Sequence, residues 1–258
     1  MADAGNRTLL AVDAVKQSSG NLLVFDPVQR LTFGEITMTS SSPPCFAHEL
    51  AENADGSFSV VDDEQRRDVN RWRTAERHRL IEARLSIAAG ERQEMSEAIA
   101  ENLANELGKV AGQTISFYWP FRGEPDLRLL MEQLSEREAI CALPVVTAKG
   151  QPLTFRSWRQ GEELERGVWN IPVPAKGGIV TPCIVIAPVV GFDPMCFRLG
   201  YGGGFFDRTL AAMQAKPRVF GVGYVSQAIP SIYPQPHDIP MDCIVTEAGI
   251  IRPKPGSA

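Results

Sequence analysis

The sequence has no run of some eighteen apolar residues, the length of a membrane-spanning helix, and its start shows no basic-then-apolar signal pattern. Its five cysteines are scattered without a Cys-x-x-Cys pair, which argues against a disulfide framework. The three histidines are far apart and show no metal-ligand spacing. We therefore expect a cytoplasmic protein with no membrane partner, whose thiols serve as small core side chains.

A surplus of basic residues is also missing. Lysines and arginines number 26 against 31 aspartates and glutamates, which gives a formal net charge of −5 at pH 7. A nucleic-acid-binding surface normally carries a basic stripe. We therefore expect small-molecule partners and no nucleic acid. Composition does not fix the oligomeric state, for which a monomer is the default expectation.

Hydrophobic patterning indicates an α/β fold. Short β-branched runs alternate with stretches of helical periodicity, an order typical of a parallel sheet covered by helices. The sequence predicts a single domain with a largely parallel sheet flanked by helices. The predicted strands are 115–119, 140–146, 153–156, 184–190, 219–224 and 243–246, and the predicted helices are 68–107, broken at Gly90, 126–138 and 205–214.

Residues 1–62 differ from the rest of the chain. Their apolar periodicity is weak, and serine, proline, asparagine and glycine gather near their end. The pattern predicts a poorly defined N-terminal extension, followed by the α/β domain over residues 63–258. A regulatory or docking segment is the alternative interpretation. We expect removal of residues 1–62 to leave the fold and the reaction intact.

A glycine cluster lies between the predicted strand 184–190 and the predicted helix 205–214. Gly200, Gly202, Gly203 and Gly204 occupy four of five positions, directly after Arg198 and Leu199. Glycines let backbone N–H groups approach a ligand closely, and a helix N-terminus beside them favours phosphate. The spacing matches neither the Walker loop nor the dinucleotide-binding pattern, so a tight turn is the alternative on the glycines alone.

Other side chains suit a nucleotide site. Asp207 and Asp242 are candidate Mg²⁺ ligands, with a helix N-terminal charge and a turn-forming aspartate as the respective alternatives. Arg73 and Arg77 are one helical turn apart and could reach one phosphate group, although a solvated helix face is the common role of such arginines. None of these patterns is specific alone.

Two tryptophans and one glutamate are candidates for binding a flat heterocycle. Trp119 and Trp169 stand at a strand end and in a loop, where they could stack on a ring system, although a tryptophan is more often a core residue. Glu124 follows the first predicted strand as a lone carboxylate, for which a surface role is the simpler interpretation.

The string at residues 198–210 resembles the signature of the 5-formyltetrahydrofolate cyclo-ligase family, usually written Arg-Leu-Gly-Tyr-Gly-Gly-Gly-Tyr-Tyr-Asp-Arg. Here Phe205 and Phe206 replace the two tyrosines. The family's helical Lys-x-x-x-Arg falls on Arg73 and Arg77, and a glycine usual before Arg-Leu-Gly is Cys196. Further matches are Glu124 after the first strand, Trp169 in a Trp-Asn-Ile-Pro segment, and the closing pattern of His237, Asp238, Asp242, Thr246 and Glu247.

The resemblance implies ATP- and Mg²⁺-dependent closure of 5-formyltetrahydrofolate to 5,10-methenyltetrahydrofolate, through phosphorylation of the formyl oxygen and attack by N10. A divergent relative acting on another substrate, or a non-catalytic folate- or nucleotide-binding protein, are the alternatives. The expected ATP-binding residues are Arg73, Arg77, Arg198, Leu199, Gly200, Tyr201, Gly202, Gly203, Gly204, Phe205 and Phe206. The expected folate-binding residues are Trp119, Glu124, Trp169 and Phe205, and the expected metal ligands are Asp207 and Asp242.

Overall fold

A computed structural model describes residues 50–53, 58–59 and 63–253 of the chain. Most of the expected extension, residues 1–49, therefore lies outside the described residues. The helices of the described part are α1 (Asp63–Ser86), α2 (Ala89–Leu107), α3 (Arg128–Glu136) and α4 (Phe205–Ala212).

The strands of the described part are mostly short. They are β1 (Ala51–Glu52), β2 (Phe58–Ser59), β3 (Thr114–Ser116), β4 (Ile140–Val145), β5 (Thr154–Ser157), β6 (Leu164–Arg166), β7 (Pro172–Pro174), β8 (Ile179–Val180), β9 (Ile184–Pro188), β10 (Gly191–Phe192), β11 (Arg198–Leu199), β12 (Arg218–Val222), β13 (Cys243–Thr246) and β14 (Gly249–Ile251).

Eight of these strands form the central sheet, in the order β14-β13-β12-β9-β3-β4-β5-β8. The five neighbours from β13 to β4 run parallel. Antiparallel strands complete both edges, with β14 beside β13 and β5 and β8 beyond β4. The predicted single α/β domain with a largely parallel sheet is confirmed.

Strand β9 is the centre of the core because its β-branched residues are buried on both faces. Ile184 and Ile186 pack with α2 and α3 side chains such as Leu103 and Leu134. Val185 and Ala187 point to the opposite face, where Leu210 of α4 packs. This alternation follows from the two-residue period of a strand. Helices therefore cover both faces, as a parallel sheet requires.

Two predictions on local structure were wrong. The helix break expected at Gly90 lies at Ile87 and Ala88, since Ala88 takes the extended backbone before α2 and Gly90 falls inside its first turn. The segment 169–174, expected to be a loop, contains a 3₁₀ turn and strand β7, which pairs with β6. Within the described residues, no helix has both the length and the apolarity of a membrane span.

Candidate active site

A cavity of about 250 Å³ opens at the carboxyl ends of the parallel strands. The connections that follow β3, β4 and β9 meet there, since parallel strands end at the same edge of a sheet. Of the residues expected to bind ATP, folate or metal, all but Asp242 line this cavity; they are Arg73, Arg77, Trp119, Glu124, Trp169, Arg198, Leu199, Gly200, Tyr201, Gly202, Gly203, Gly204, Phe205, Phe206 and Asp207.

The glycine loop, residues 200–204, forms one wall of the cavity and leads directly into α4. Gly204 is left-handed, with φ 61°, and is the last residue before the helix. Gly202 has φ 90°, and a Cβ added there would lie 3.3 Å from the Arg77 guanidinium carbon. Glycine is needed at both positions because other residues are strained in this conformation. The predicted arrangement of strand, glycine loop and helix N-terminus is present.

Arg77 holds the glycine loop and contributes charge to the cavity. Its Nε donates a hydrogen bond to the carbonyl oxygen of Gly200 at 2.7 Å. Burial lowers the pKa of Arg77 to about 10, aided by the charge of Arg73 and opposed by Asp238. The guanidinium therefore stays protonated at neutral pH and can meet an anion.

Arg198 and Asp207 form a largely buried ion pair at the other side of the loop. Arg198 Nη2 lies 2.9 Å from Asp207 Oδ2, and the two side chains are 5% and 14% exposed. The Arg198 guanidinium also stacks over the Phe206 ring, 5.2 Å from its centroid. Its Nε is buried without a hydrogen-bond partner among the described residues, so this cation retains unused donor capacity.

Arg73 has a different role from the one expected. Its Nε donates to the carbonyl oxygen of Ile232 at 2.9 Å, and its Nη2 donates to Tyr233 O at 2.7 Å and to Asp238 Oδ2 at 2.6 Å. These contacts use most of the guanidinium's donors. Arg73 therefore anchors residues 232–238, the segment whose His237 and Asp238 line the cavity, while Arg77 presents its charge to the loop.

Glu124 is buried, in contrast to the surface role that its isolated position suggested. The carboxylate accepts hydrogen bonds from the Phe121 backbone N–H and the Tyr201 hydroxyl, both at 2.9 Å. Burial raises the pKa of Glu124 to about 7, although Arg84 and both hydrogen bonds act to lower it. A carboxyl group with a pKa near neutral pH therefore lines the cavity.

Aromatic side chains line much of the cavity. Trp119 packs edge-on against Trp158, with ring centroids 5.8 Å apart, and Trp169 packs edge-on against Phe205 at 6.1 Å. Trp169 is 56% exposed and has φ 55°, an uncommon backbone conformation for a large residue. Such strain often occurs at ligand-binding positions. The rings offer flat apolar surface to a heterocycle.

The structure does not bring Asp242 to the cavity. This residue precedes β13 and therefore lies at the amino edge of the sheet, where its Oδ2 accepts a hydrogen bond from Val219 N at 2.6 Å. Asp238 lies in the cavity, where Asp242 was expected. It lines the cavity, and the backbone N–H of its neighbour Ile239 donates to Asp207 Oδ1 at 3.3 Å.

Sequence reasoning missed Arg84 and Asp238 as residues that organise the site. Arg84 lies in an arginine-rich helix, and the spacing of arginines along the sequence does not show which guanidinium group is buried and which are solvated. Asp238 belongs to the closing His-Asp pattern, but the expected metal ligand was the following aspartate, Asp242. Both lie in the connection from β12 to β13: Asp242 directly precedes β13 at the amino edge of the sheet, whereas Asp238 lies four residues earlier and lines the cavity.

Comparisons with known proteins agree with this geometry. Residues 69–247 match the 5-formyltetrahydrofolate cyclo-ligase family. The 5-formyltetrahydrofolate cyclo-ligase of Mycolicibacterium smegmatis is 30% identical over 181 residues, which cover 67% of this chain and 92% of that protein. The Escherichia coli K12 protein of the same name is 29% identical over 174 residues, which cover 65% and 96%.

A solved structure shares the fold as well as the sequence. The 5,10-methenyltetrahydrofolate synthetase of Aquifex aeolicus superposes with a TM-score of 0.62 at 28% identity, and the match covers 71% of this chain and 94% of that one. The family match extends over more than half of the chain and includes the glycine loop, Glu124 and Asp238. The chain belongs to the 5-formyltetrahydrofolate cyclo-ligase family.

Proposed function

We propose that this protein catalyses the ATP- and Mg²⁺-dependent closure of 5-formyltetrahydrofolate to 5,10-methenyltetrahydrofolate, with release of ADP and phosphate. The observation that carries the proposal is that one cavity joins a glycine loop at a helix N-terminus to a buried carboxylate among aromatic rings. The first part suits a polyphosphate, and the second suits a pterin.

Phosphates are assigned to the side of the cavity that contains the glycine loop. Backbone N–H groups at a helix N-terminus favour anions, and Arg77 and Arg198 add two permanent charges. Arg208 fixes this wall through a hydrogen bond to the carbonyl oxygen of Gly203 and a contact with the Phe205 ring. Phosphoryl transfer depends mainly on positioning and charge stabilisation, which these groups provide.

The pterin ring is assigned to the side that contains Glu124. A carboxylate with two oxygens can accept hydrogen bonds from adjacent N–H groups of a heterocycle. Trp119, Trp169 and Phe205 supply apolar surface for the ring faces. In this arrangement the formyl group points towards the glycine loop.

The carboxylates of the cavity fit a magnesium site. Mg²⁺ is usually bound by one or two carboxylates, with phosphate oxygens and water completing the shell. Asp207 would hold it from the glycine loop, and Asp238, whose carboxylate is paired with Arg73, lies beside it in the cavity, linked through the Ile239 N–H. When bound, the ion neutralises charge on the phosphates.

The proposed chemistry has two steps. The formyl oxygen attacks the γ-phosphorus, and the bond to the β-phosphate oxygen breaks to release ADP. N10 then attacks the formyl carbon and loses its proton to the departing phosphate, and the formyl oxygen leaves as part of inorganic phosphate. Arg77 and Arg198 stabilise the charge on the transferring group, while the aromatic wall excludes water from the activated carbon.

The direct test is to mix the purified protein with 5-formyltetrahydrofolate and follow the near-ultraviolet band of the methenyl product. We expect the band only when ATP and Mg²⁺ are both present. A folded protein that binds ATP but yields no band with both present would contradict the proposal.

A further inference from the structure

A buried polar chain connects α1, the glycine loop and Glu124. Arg84 Nη2 donates to the Tyr201 hydroxyl at 2.6 Å, and this hydroxyl donates to Glu124 Oε1 at 2.9 Å. Phe121 O also lies 3.4 Å from the hydroxyl, but the shorter contact to Glu124 takes its single proton. The chain therefore places a donor, polarised by a cation, against one carboxylate oxygen.

Arg84 is positioned to hold this chain rigidly. The side chain is 1% exposed, and its other donors reach the carbonyl oxygens of Arg122 at 2.9 Å and Val189 at 3.3 Å. It thus joins the connections after β3 and β9 to the glycine loop. A buried cation is stabilised when a negative charge lies close by. The Glu124 carboxylate is the negative charge to which Tyr201 connects Arg84.

We propose that Arg84 and Tyr201 are positioning residues that favour the ionised form of Glu124 and thereby set the pH range in which the cavity takes its substrate. The inference rests on the proposed function, because it assumes that Glu124 meets the pterin. An ionised Glu124 accepts two N–H hydrogen bonds from the ring, whereas a protonated one presents an O–H towards a donor and loses one of them.

The groups around Glu124 act in opposite directions. Arg84 from α1 and Tyr201 from the glycine loop favour the charged form, while burial favours the neutral form. In the same connection, burial and next the charge of Glu124 raise the pKa of Tyr118, and Asp126 is paired with Arg128 at 2.6 Å. The balance leaves the pKa of Glu124 at about 7, so loss of one stabilising donor changes its charge at physiological pH.

The test compares the pH dependence of kcat/KM for 5-formyltetrahydrofolate in the parent and in Tyr201→Phe. Tyr201→Phe removes one hydroxyl and leaves Arg84 bound to two carbonyl groups, so the fold should persist. We expect the acidic limb of the profile to move to higher pH, with kcat/KM about threefold lower at pH 7 and restored in more alkaline solution. An unmoved limb would overturn the proposal.

Tyr118→Phe is the matched control. Tyr118 is more buried than Tyr201, and its hydroxyl donates to the Pro125 carbonyl oxygen at 2.7 Å, with no hydrogen bond to Glu124 among the described residues. Tyr118→Phe should therefore leave the position of the acidic limb unchanged. In a Glu124→Gln background the Tyr201→Phe substitution should have no effect on the pH profile, since the titrating group is gone. An equal shift in Tyr118→Phe and Tyr201→Phe would contradict the specific role of the chain.

A second measurement separates this inference from the proposed function. In protein labelled with ¹³C at the glutamate carboxyl, the Glu124 resonance is identified by its absence in Glu124→Gln, and its midpoint is read without substrate. We expect the midpoint to rise in Tyr201→Phe and in Arg84→Lys. A midpoint that does not move overturns the inference even if the enzyme is active, whereas a shifted midpoint without turnover overturns only the function.

Discussion

Three arginines of α1 carry their charge into the protein, and each is stabilised in a different way. Arg73 is neutralised by Asp238 at 2.6 Å, Arg77 donates to Gly200 O and faces the cavity, and Arg84 donates to three acceptors at the centre of the site. Arg66 and Arg71, by contrast, form solvated pairs with aspartates three residues earlier. Only the buried arginines contribute much to the site, because solvated pairs are worth little.

Glu124 predicts an unusual pH dependence of stability. Its pKa is raised from 4.5 in the unfolded chain to about 7, so the folded protein binds the extra proton between these values. The stability associated with the neutral carboxyl is fully present below pH 4.5 and is lost as the pH rises through about 7. The parent should therefore lose on the order of 2 kcal/mol of stability between pH 5.5 and pH 8 that Glu124→Gln, which stays neutral, does not lose.

Urea unfolding of both proteins at pH 5.5 and pH 8 measures this difference. The substitution should have a small effect at pH 5.5. The Tyr201 hydroxyl can donate its proton to Phe121 O, and the side-chain amide that replaces the carboxyl group can then donate to the Tyr201 oxygen. An equal change of stability between pH 5.5 and pH 8 in both proteins would contradict this prediction.

The two metal candidates predict a contrast between carboxylates at opposite edges of the sheet. Asp207→Asn should weaken the response to Mg²⁺ and lower kcat on the order of 10²-fold, as loss of one electrostatic contact in such a site can do. Asp242→Asn is the control, since Asp242 is exposed and caps Val219. A magnesium titration of activity should distinguish them. An equal loss of Mg²⁺ response in both variants would contradict the assignment.

Residue types were easier to predict than their partners. The glycines, Arg198 and Asp207 could be predicted because they are close in sequence and their chemistry depends on local geometry. Arg73 could not be separated from Arg77, since its partners Ile232 and Asp238 are some 160 positions away. Cys196 illustrates a similar gap: it has φ 62°, which explains why a glycine is usual there, but only the structure supplies the angle.

At the scale of elements, the cavity wall at residues 232–238 is held from two sides. Arg73 of α1 binds its carbonyl groups from within. Strand β2 binds it from outside, because Phe58 N donates to Pro234 O at 2.7 Å and the Phe58 ring lies 5.3 Å from that of Tyr233. Leu50 is also buried there, beside Val69. Part of the expected extension therefore packs on the domain.

These contacts change the prediction for the extension. Phe58→Ala should lower stability by about 1–2 kcal/mol, less than a full core phenylalanine because the ring is half-buried. The KM for ATP should rise as the wall and Arg73 loosen, with kcat little changed. Deletion of residues 1–62 should have a larger effect of the same kind. Thermal melts and initial rates for both proteins test this, and a deletion variant with parental melting temperature and KM would restore the view of a dispensable segment.

The central strands were predictable and the peripheral ones were not. Strand β9 is a continuous β-branched run, which the sequence displays openly. Strands β6, β7, β10 and β11 have two or three residues each, and their pairing depends on neighbours rather than on their own pattern. The proline-rich β7 contradicts local propensity and exists because β6 lies beside it.

At the scale of the whole molecule, the direction of the sheet decides where function lies. The cavity gathers side chains from α1, the connection after β3, the β6–β7 hairpin, the glycine loop and the segment before β13. These segments span residues 70–238, and only the common carboxyl edge of the parallel strands brings them together. The contact between the glycine loop and Glu124, made through the Tyr201 hydroxyl, is thus a product of topology, because the fold brings together two segments that are far apart in the sequence.

The most direct test of the account follows the formyl oxygen. Protein, MgATP and 5-formyltetrahydrofolate labelled with ¹⁸O in the formyl group are allowed to react once, and the phosphate is analysed by mass spectrometry. In the proposed reaction the formyl oxygen attacks the γ-phosphorus and leaves with it. One ¹⁸O per methenyl product should therefore appear in inorganic phosphate. Unlabelled phosphate formed together with the methenyl product, or ATP cleavage without that product, would contradict it.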